Sequence, residues 1–134
     1  MPFFATDALF EECSVRFTSQ IARLNGAVAL ERLGGDEELL REVARLFLDE
    51  YPALLLEIRD AVTVRDADAL QRAAHSLKGS VSNFGADAAY HAAFVLEMMG
   101  RNQDLAQVDR GLAELDEALQ YIHPALLELA VESA

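Results

Sequence analysis

The strongest constraint on this chain is a seven-residue apolar repeat near its end. Leu105, Val108, Leu112, Leu115, Leu119, Ile122, Leu126 and Leu129 are spaced 3-4-3-4-3-4-3. A helix turns by about 100° per residue, so these side chains fall on one narrow stripe. A strand cannot use such spacing, because its faces alternate at every second residue. The repeat is the seam of a helix packed at a shallow angle in a bundle.

The rest of the chain reads the same way. Its 134 residues include only 3 Pro and 7 Gly, and runs of β-branched residues are scarce. Thr6 or Asp7 caps a first helix with the stripe Phe10, Cys13, Phe17, Ile21 and Leu24, ended by Asn25-Gly26. A short segment from Ala27 to Leu33 stops at Gly34-Gly35. Asp36 caps a long helix with Glu37 and Glu38 in its first turn, where negative charge suits the helix dipole. Its stripe is Leu40, Val43, Phe47, Tyr51, Leu54, Ile58 and Val62, and Pro52 should kink it rather than end it. Asp66 caps a helix running to about Phe84, broken at Gly85, and Asp87 to about Arg101 forms the next. The last helix is expected to start near Asp104, with Pro124 bending its final turns. The expectation is an all-α, antiparallel four-helix bundle over 27–132, with 1–26 as an additional N-terminal helix.

Bulk properties remove several function classes. A net charge of −12 leaves no basic patch for displacing counterions from nucleic acid, and most of that charge belongs on solvated helix faces. The single Cys13 cannot form an intramolecular disulfide and reads as a buried thiol. The N-terminus lacks the basic and apolar regions of a signal peptide, and no run of about 18 apolar residues exists. A cytoplasmic chain without a membrane partner is expected.

Among residues that could do chemistry, His75 stands out. With His75 set at zero on a helical wheel, Leu70, Ala73, Ala74, Leu77, Val81 and Phe84 gather roughly opposite it. Asp68, Gln71, Arg72, Lys78, Gly79 and Ser82 fall within about 60° of it. The imidazole therefore points to solvent, with a cation one turn on and a glycine beside it. Metal binding in a bundle core uses a Glu three residues before a His, and neither His75, His91 nor His123 has one. Ser76 diverges from His75 by about 100° and cannot form a nucleophile–base pair with it. No glycine-rich phosphate loop is present, and no metal site is expected.

What remains is His75 as a phosphoryl acceptor. An imidazole is unprotonated often enough at neutral pH to attack phosphorus in line. Lys78 would steady the oxygens over which the charge of the transferring group spreads. Gly79 costs the helix roughly 0.5–1 kcal/mol against Ala, and open access to His75 is a reason for it. Gln71, Arg72 and Ser82 ring the imidazole and are candidate partner contacts. Spacing alone leaves a second reading open, since a solvated helix face also carries a His and a Lys one turn apart. His91 reads as an exposed or partly packed polar residue, and His123 as a late-helix residue that suits the dipole.

The run Ala74-His75-Ser76-Leu77-Lys78-Gly79-Ser80, followed by Asn83-Phe84-Gly85-Ala86, carries a resemblance. So do Leu33-Gly34-Gly35-Asp36, Glu37-Glu38-Leu39-Leu40 and Phe47-Leu48-Asp49-Glu50-Tyr51-Pro52. From about Ala27 to Leu129 the chain resembles the histidine-containing phosphotransfer (HPt) domain family. The resemblance implies a phosphorelay intermediate, in which His75 takes a phosphoryl group from a receiver-domain aspartate and passes it to another. Lys78 would steady the phosphoryl oxygens, and Gly79 would keep the approach open. The Mg²⁺ and most catalytic groups would come from the receiver, so the domain needs no cofactor and has no independent kinase activity. Response-regulator receivers are the expected partners, with a hybrid histidine kinase as a further candidate. Two alternatives are a receiver-docking module without phosphotransfer and the phosphorylated domain of a chemotaxis-type histidine kinase.

Two features depart from the family. Residues 1–26 precede the usual domain start. Tyr90, Phe94, Val95 and Met98 add an apolar strip beside the expected core stripe of Ala89, Ala92, Leu96 and Met99. The first helix is expected to cover that strip, or to pair between chains in a homodimer rather than a monomer.

Overall fold

Two aspartates start two successive helices by the same device. Asp36 is extended (φ −88°, ψ 102°), and its carboxylate accepts the Leu39 N–H at 3.0 Å. Asp66 is extended in the same way, and its carboxylate accepts the Ala69 N–H at 3.0 Å. Each satisfies a backbone donor that has no partner within its helix. The computed structural model describes residues 29–31 and 33–131. Its long helices are α1 (Glu37–Val64), α2 (Ala67–Val81), α3 (Asp87–Arg101) and α4 (Val108–Val131), with no strand among the described residues.

Tight turns join them. Arg65 closes α1 in the left-handed region (φ 58°), with its N–H on the Val62 carbonyl and the Asp66 N–H on the Ala61 carbonyl. α2 tightens into a 3₁₀ turn over Ser82–Phe84, and Gly85 (φ 62°) supplies the left-handed step before α3.

Each helix packs against two neighbours, α1 on α2 and α4, and α3 on α2 and α4, which closes a four-membered ring. Polar contacts fix the relative direction of α1 and α4. Arg45 Nε donates to the Ala130 carbonyl, Tyr51 meets His123, Arg59 meets Asp116 and Arg65 meets Asp109. Residue numbers climb along α1 as they fall along α4, so the pair is antiparallel, as the sequence leads one to expect. Phe47, Ile58, Leu70, Leu77, Phe84, Leu96, Leu115 and Leu126 fill the space between the helices. In the seven-residue repeat, Val108, Leu115, Leu119, Ile122 and Leu126 are buried, while Leu105, Leu112 and Leu129 pack half-buried at the edge.

Three local readings need correction. α4 starts at Val108 rather than near Asp104. Asp104 uses its carboxylate on the Ala106 N–H in a tight turn, and Val108 bonds back to the Leu105 carbonyl. α4 continues through Pro124 as expected, but His123 lies about two turns before its end, too far in to serve the dipole. Its Nδ1 lies 2.7 Å from the Tyr51 hydroxyl, and its ring meets the Tyr51 ring edge-on. Finally, the α1 stripe is broader than expected. Ala44, Leu55 and Ala61 join it, whereas Val43, Tyr51 and Leu54 are half-buried. α1 does run through Pro52 without ending.

The expected first helix, the thiol of Cys13 and the covering of the Tyr90–Met98 strip by residues 1–26 lie outside the described residues. No described helix is long and apolar enough to cross a membrane.

Candidate functional site

His75 sits near the middle of α2, with Leu70, Ala73, Ala74, Leu77 and Val81 buried on the opposite side. Its side chain is 68% exposed. The polar stripe of α2 is thus where the wheel puts it, and the imidazole faces outward.

What the wheel does not foresee is the partner across the helix pair. Glu97 of α3 is buried, and its Oε2 lies 2.8 Å from His75 Nδ1. Its Oε1 lies 2.7 Å from Lys78 Nζ. At that distance charge attraction and hydrogen bonding both join the carboxylate to the ammonium. Burial pushes the Glu97 carboxyl up, but the Lys78 and His75 contacts outweigh burial and hold it below its usual value. An ionised carboxylate only accepts hydrogen bonds. The neutral form of His75 in this contact is therefore the one with its proton on Nδ1, which leaves the Nε2 lone pair for chemistry.

Lys78 is placed differently from expectation. Its side chain is only 18% exposed and is turned to Glu97 rather than standing free beside the imidazole. Phe94 and Tyr90 flank it, with ring centroids 5.3 and 5.9 Å from Nζ. The reason lies in the wheel itself: Lys78 falls on the flank of α2 that faces α3. Tyr90, Phe94 and Glu97 occupy one line of α3 at i, i+4 and i+7, so three successive contacts meet the same lysine.

Gly79 is exposed, and no described atom lies within 4 Å of where its Cβ would be. Packing does not require a glycine there. The contrast is Gly100 on α3, whose Cβ would fall 2.6 Å from the Ala67 carbonyl oxygen and 2.7 Å from the Gln71 nitrogen. That glycine lets α3 approach α2 closely enough for Glu97 to reach both His75 and Lys78.

The other expected contacts have varied surroundings. Gln71 is half-buried beside Gly100. Arg72 is exposed along a groove between α1 and α2, with Glu57, Asp60 and Ser76. Ser82 is half-buried, and its hydroxyl donates to the Gly79 carbonyl at 2.7 Å. His91 is exposed.

Glu97 was the residue missed by sequence reasoning, and one signal for it existed. It interrupts the apolar run Val95-Leu96-Met98-Met99, where a carboxylate has to find a cation or donor on a neighbouring helix.

The Hpt domain family model matches residues 42–125. The chain belongs to the Hpt domain family. The matched stretch extends from early α1 into α4 and contains His75, Lys78, Gly79 and Glu97. No curated protein and no solved structure gives a significant match. Membership in this family implies phosphotransfer in a two-component phosphorelay, whose Hpt domains interact with receiver domains.

Proposed function

We propose that this Hpt domain is a phosphorelay intermediate that carries a phosphoryl group on His75 Nε2. The observation that carries the reading is the Glu97 contact to Nδ1 of an exposed imidazole. With the proton held on Nδ1, the Nε2 lone pair attacks phosphorus while the bond from phosphorus to the receiver's aspartyl oxygen breaks. The aspartate leaves as a carboxylate, and the ring becomes a phosphorylated imidazolium. Its positive charge develops beside the Glu97 carboxylate, which holds the ring and stabilises the charge formed. The reverse step regenerates neutral His75 and hands the phosphoryl group to a second receiver.

Gly79 leaves the approach to Nε2 open. Lys78 serves mainly by holding Glu97 ionised and in place, and its charge also lowers the cost of bringing phosphoryl oxygens near. Arg72, Gln71 and the ends of α2 are the proposed receiver contacts. Mg²⁺ belongs to the receiver in this scheme.

The Glu97 contact also weighs against a docking module without phosphotransfer, because such a module gains nothing from a fixed imidazole tautomer. The test uses a receiver carrying labelled aspartyl phosphate with Mg²⁺. Label should pass to the chain as an acid-labile, alkali-stable phosphate and be absent from His75→Gln. Label retained by His75→Gln would overturn the assignment.

A further inference from the structure

Tyr90 and Phe94 are each 40% exposed, an unusual position for two large rings one turn apart on the same helix face. Both turn toward Lys78, whose ammonium lies 5.3 Å from the Phe94 centroid and 5.9 Å from the Tyr90 centroid. The same ammonium touches Glu97 Oε1 at 2.7 Å, a single charge-assisted contact. A lysine side chain has four flexible carbons and much rotamer entropy to lose on fixing. One contact at the tip of so flexible a side chain does not by itself select one rotamer. Two ring faces within about 6 Å do, because the electron-rich faces attract the cation and the rings wall off its other rotamers.

We infer that Tyr90 and Phe94 are positioning residues for phosphotransfer, acting on His75 through Lys78 and Glu97. The rings hold the ammonium on Oε1. The ammonium keeps the carboxylate charged and turned so that Oε2 stays on His75 Nδ1. That contact keeps the proton on Nδ1 and the lone pair on Nε2. If the rings lose their π faces, Lys78 is free to turn to solvent, water reaches Oε1, and the imidazole is no longer confined to one tautomer. The inference rests on His75 being the phosphoryl acceptor, but its first consequence is a property of the resting protein.

The decisive substitutions are Phe94→Leu and Tyr90→Leu, singly and together. Leucine keeps an apolar side chain and removes the π face, and at Tyr90 the hydroxyl as well, so Phe94→Leu is the cleaner of the two. Two measurements are made on the folded chain. The first is the imidazole ¹⁵N spectrum of His75, which separates a fixed Nδ1–H tautomer from an averaged mixture. The second is the dependence of transfer rate on receiver concentration. The wild-type chain should show the fixed tautomer, and the leucine variants an averaged one. The maximum transfer rate should fall about three-fold for one ring and about ten-fold for both, with an unchanged half-saturating receiver concentration. Phe94→Tyr, which restores a ring face, should behave as wild type.

A fixed tautomer in the double variant with an unchanged maximum rate would overturn the inference. So would a higher half-saturating concentration at an unchanged maximum rate, since the rings would then be docking contacts. If the double variant does not fold, the single variants carry both measurements. Should the wild-type chain take no phosphate, the proposed function fails, while the tautomer measurement still decides the positioning role.

Discussion

Gly100 of α3 lies so close to Ala67 of α2 that a methyl group on Gly100 would be 2.6 Å from the Ala67 carbonyl oxygen. Backbone cannot yield as a side chain end can, so the helices would have to move apart. Gly100→Ala gains up to about 1 kcal/mol of helix propensity. The overpacking it introduces costs about 1–3 kcal/mol, or more where backbone is the obstacle. The expected net outcome is a loss of about 1–2 kcal/mol in urea unfolding, together with slower phosphotransfer as Glu97 is drawn back from His75. A variant more stable than wild type would show that the two helices can slide without cost.

Glu97 links the same helix pair to pH. Its carboxyl is held below its usual value in the folded chain, because the Lys78 and His75 contacts outweigh the opposing effect of burial. A depressed carboxyl contributes stability that is fully present above its unfolded value and is lost as pH falls through its folded value. Wild-type stability should therefore decline through the acid range below the usual glutamate value. Glu97→Gln should lack that part of the decline. It should also slow transfer on the order of ten- to a hundred-fold, since an amide both donates and accepts and no longer fixes the Nδ1 proton. Urea unfolding at a series of acid pH values and single-turnover transfer check the two halves separately.

The parts of this fold that the sequence made legible are those where a local period carries the information. Buried positions on α4 recur at three and four residues, and the aspartate caps of α1 and α2 act on N–H groups three residues ahead. The same holds for the outward direction of His75, which needs only the wheel of α2. The contacts that complete the site cross between helices. His75 and Glu97 are 22 residues apart, and nothing in the period of either helix pairs them. Lys78 was read as a free cation because the wheel gives its direction but not the helix it faces. Gly100 carries no local signal either, since its meaning lies in a distance to Ala67. His123 was read from its place late in α4, whereas its contact with Tyr51 crosses to α1, where the period of α4 carries no signal.

That contact gives a further prediction. Burial, with the Asp116 charge adding to it, raises the Tyr51 hydroxyl above its ordinary value, so it stays protonated in its hydrogen bond with His123 Nδ1. A group whose folded value is raised contributes stability that is present below its unfolded value and lost as pH rises through the folded one. Wild-type stability should therefore fall off in strong alkali. Tyr51→Phe should lose about 1 kcal/mol near neutrality, through the missing hydrogen bond, and show less of that alkaline decline. Stacking on Phe47, 5.0 Å between centroids, survives the change and should keep the loss small. Thermal or urea unfolding on either side of the tyrosine range measures both effects, and an unchanged neutral stability would mean that solvent replaces the bond in full.

Gly79 separates stability from function most cleanly. A side chain there meets no described atom within 4 Å, so a larger residue disturbs no packing in the isolated domain. Gly79→Leu should raise stability by about 0.5–1 kcal/mol, the ordinary gain in helix propensity. The same side chain projects into the space beside His75 that an incoming receiver must enter, and phosphotransfer should fall with a higher half-saturating receiver concentration. Gly79→Ala serves as the graded control, with a similar stability gain and a smaller defect in transfer. Full transfer activity in a stabilised Gly79→Leu variant would show that partners reach His75 from another side, and that the glycine is not there for access.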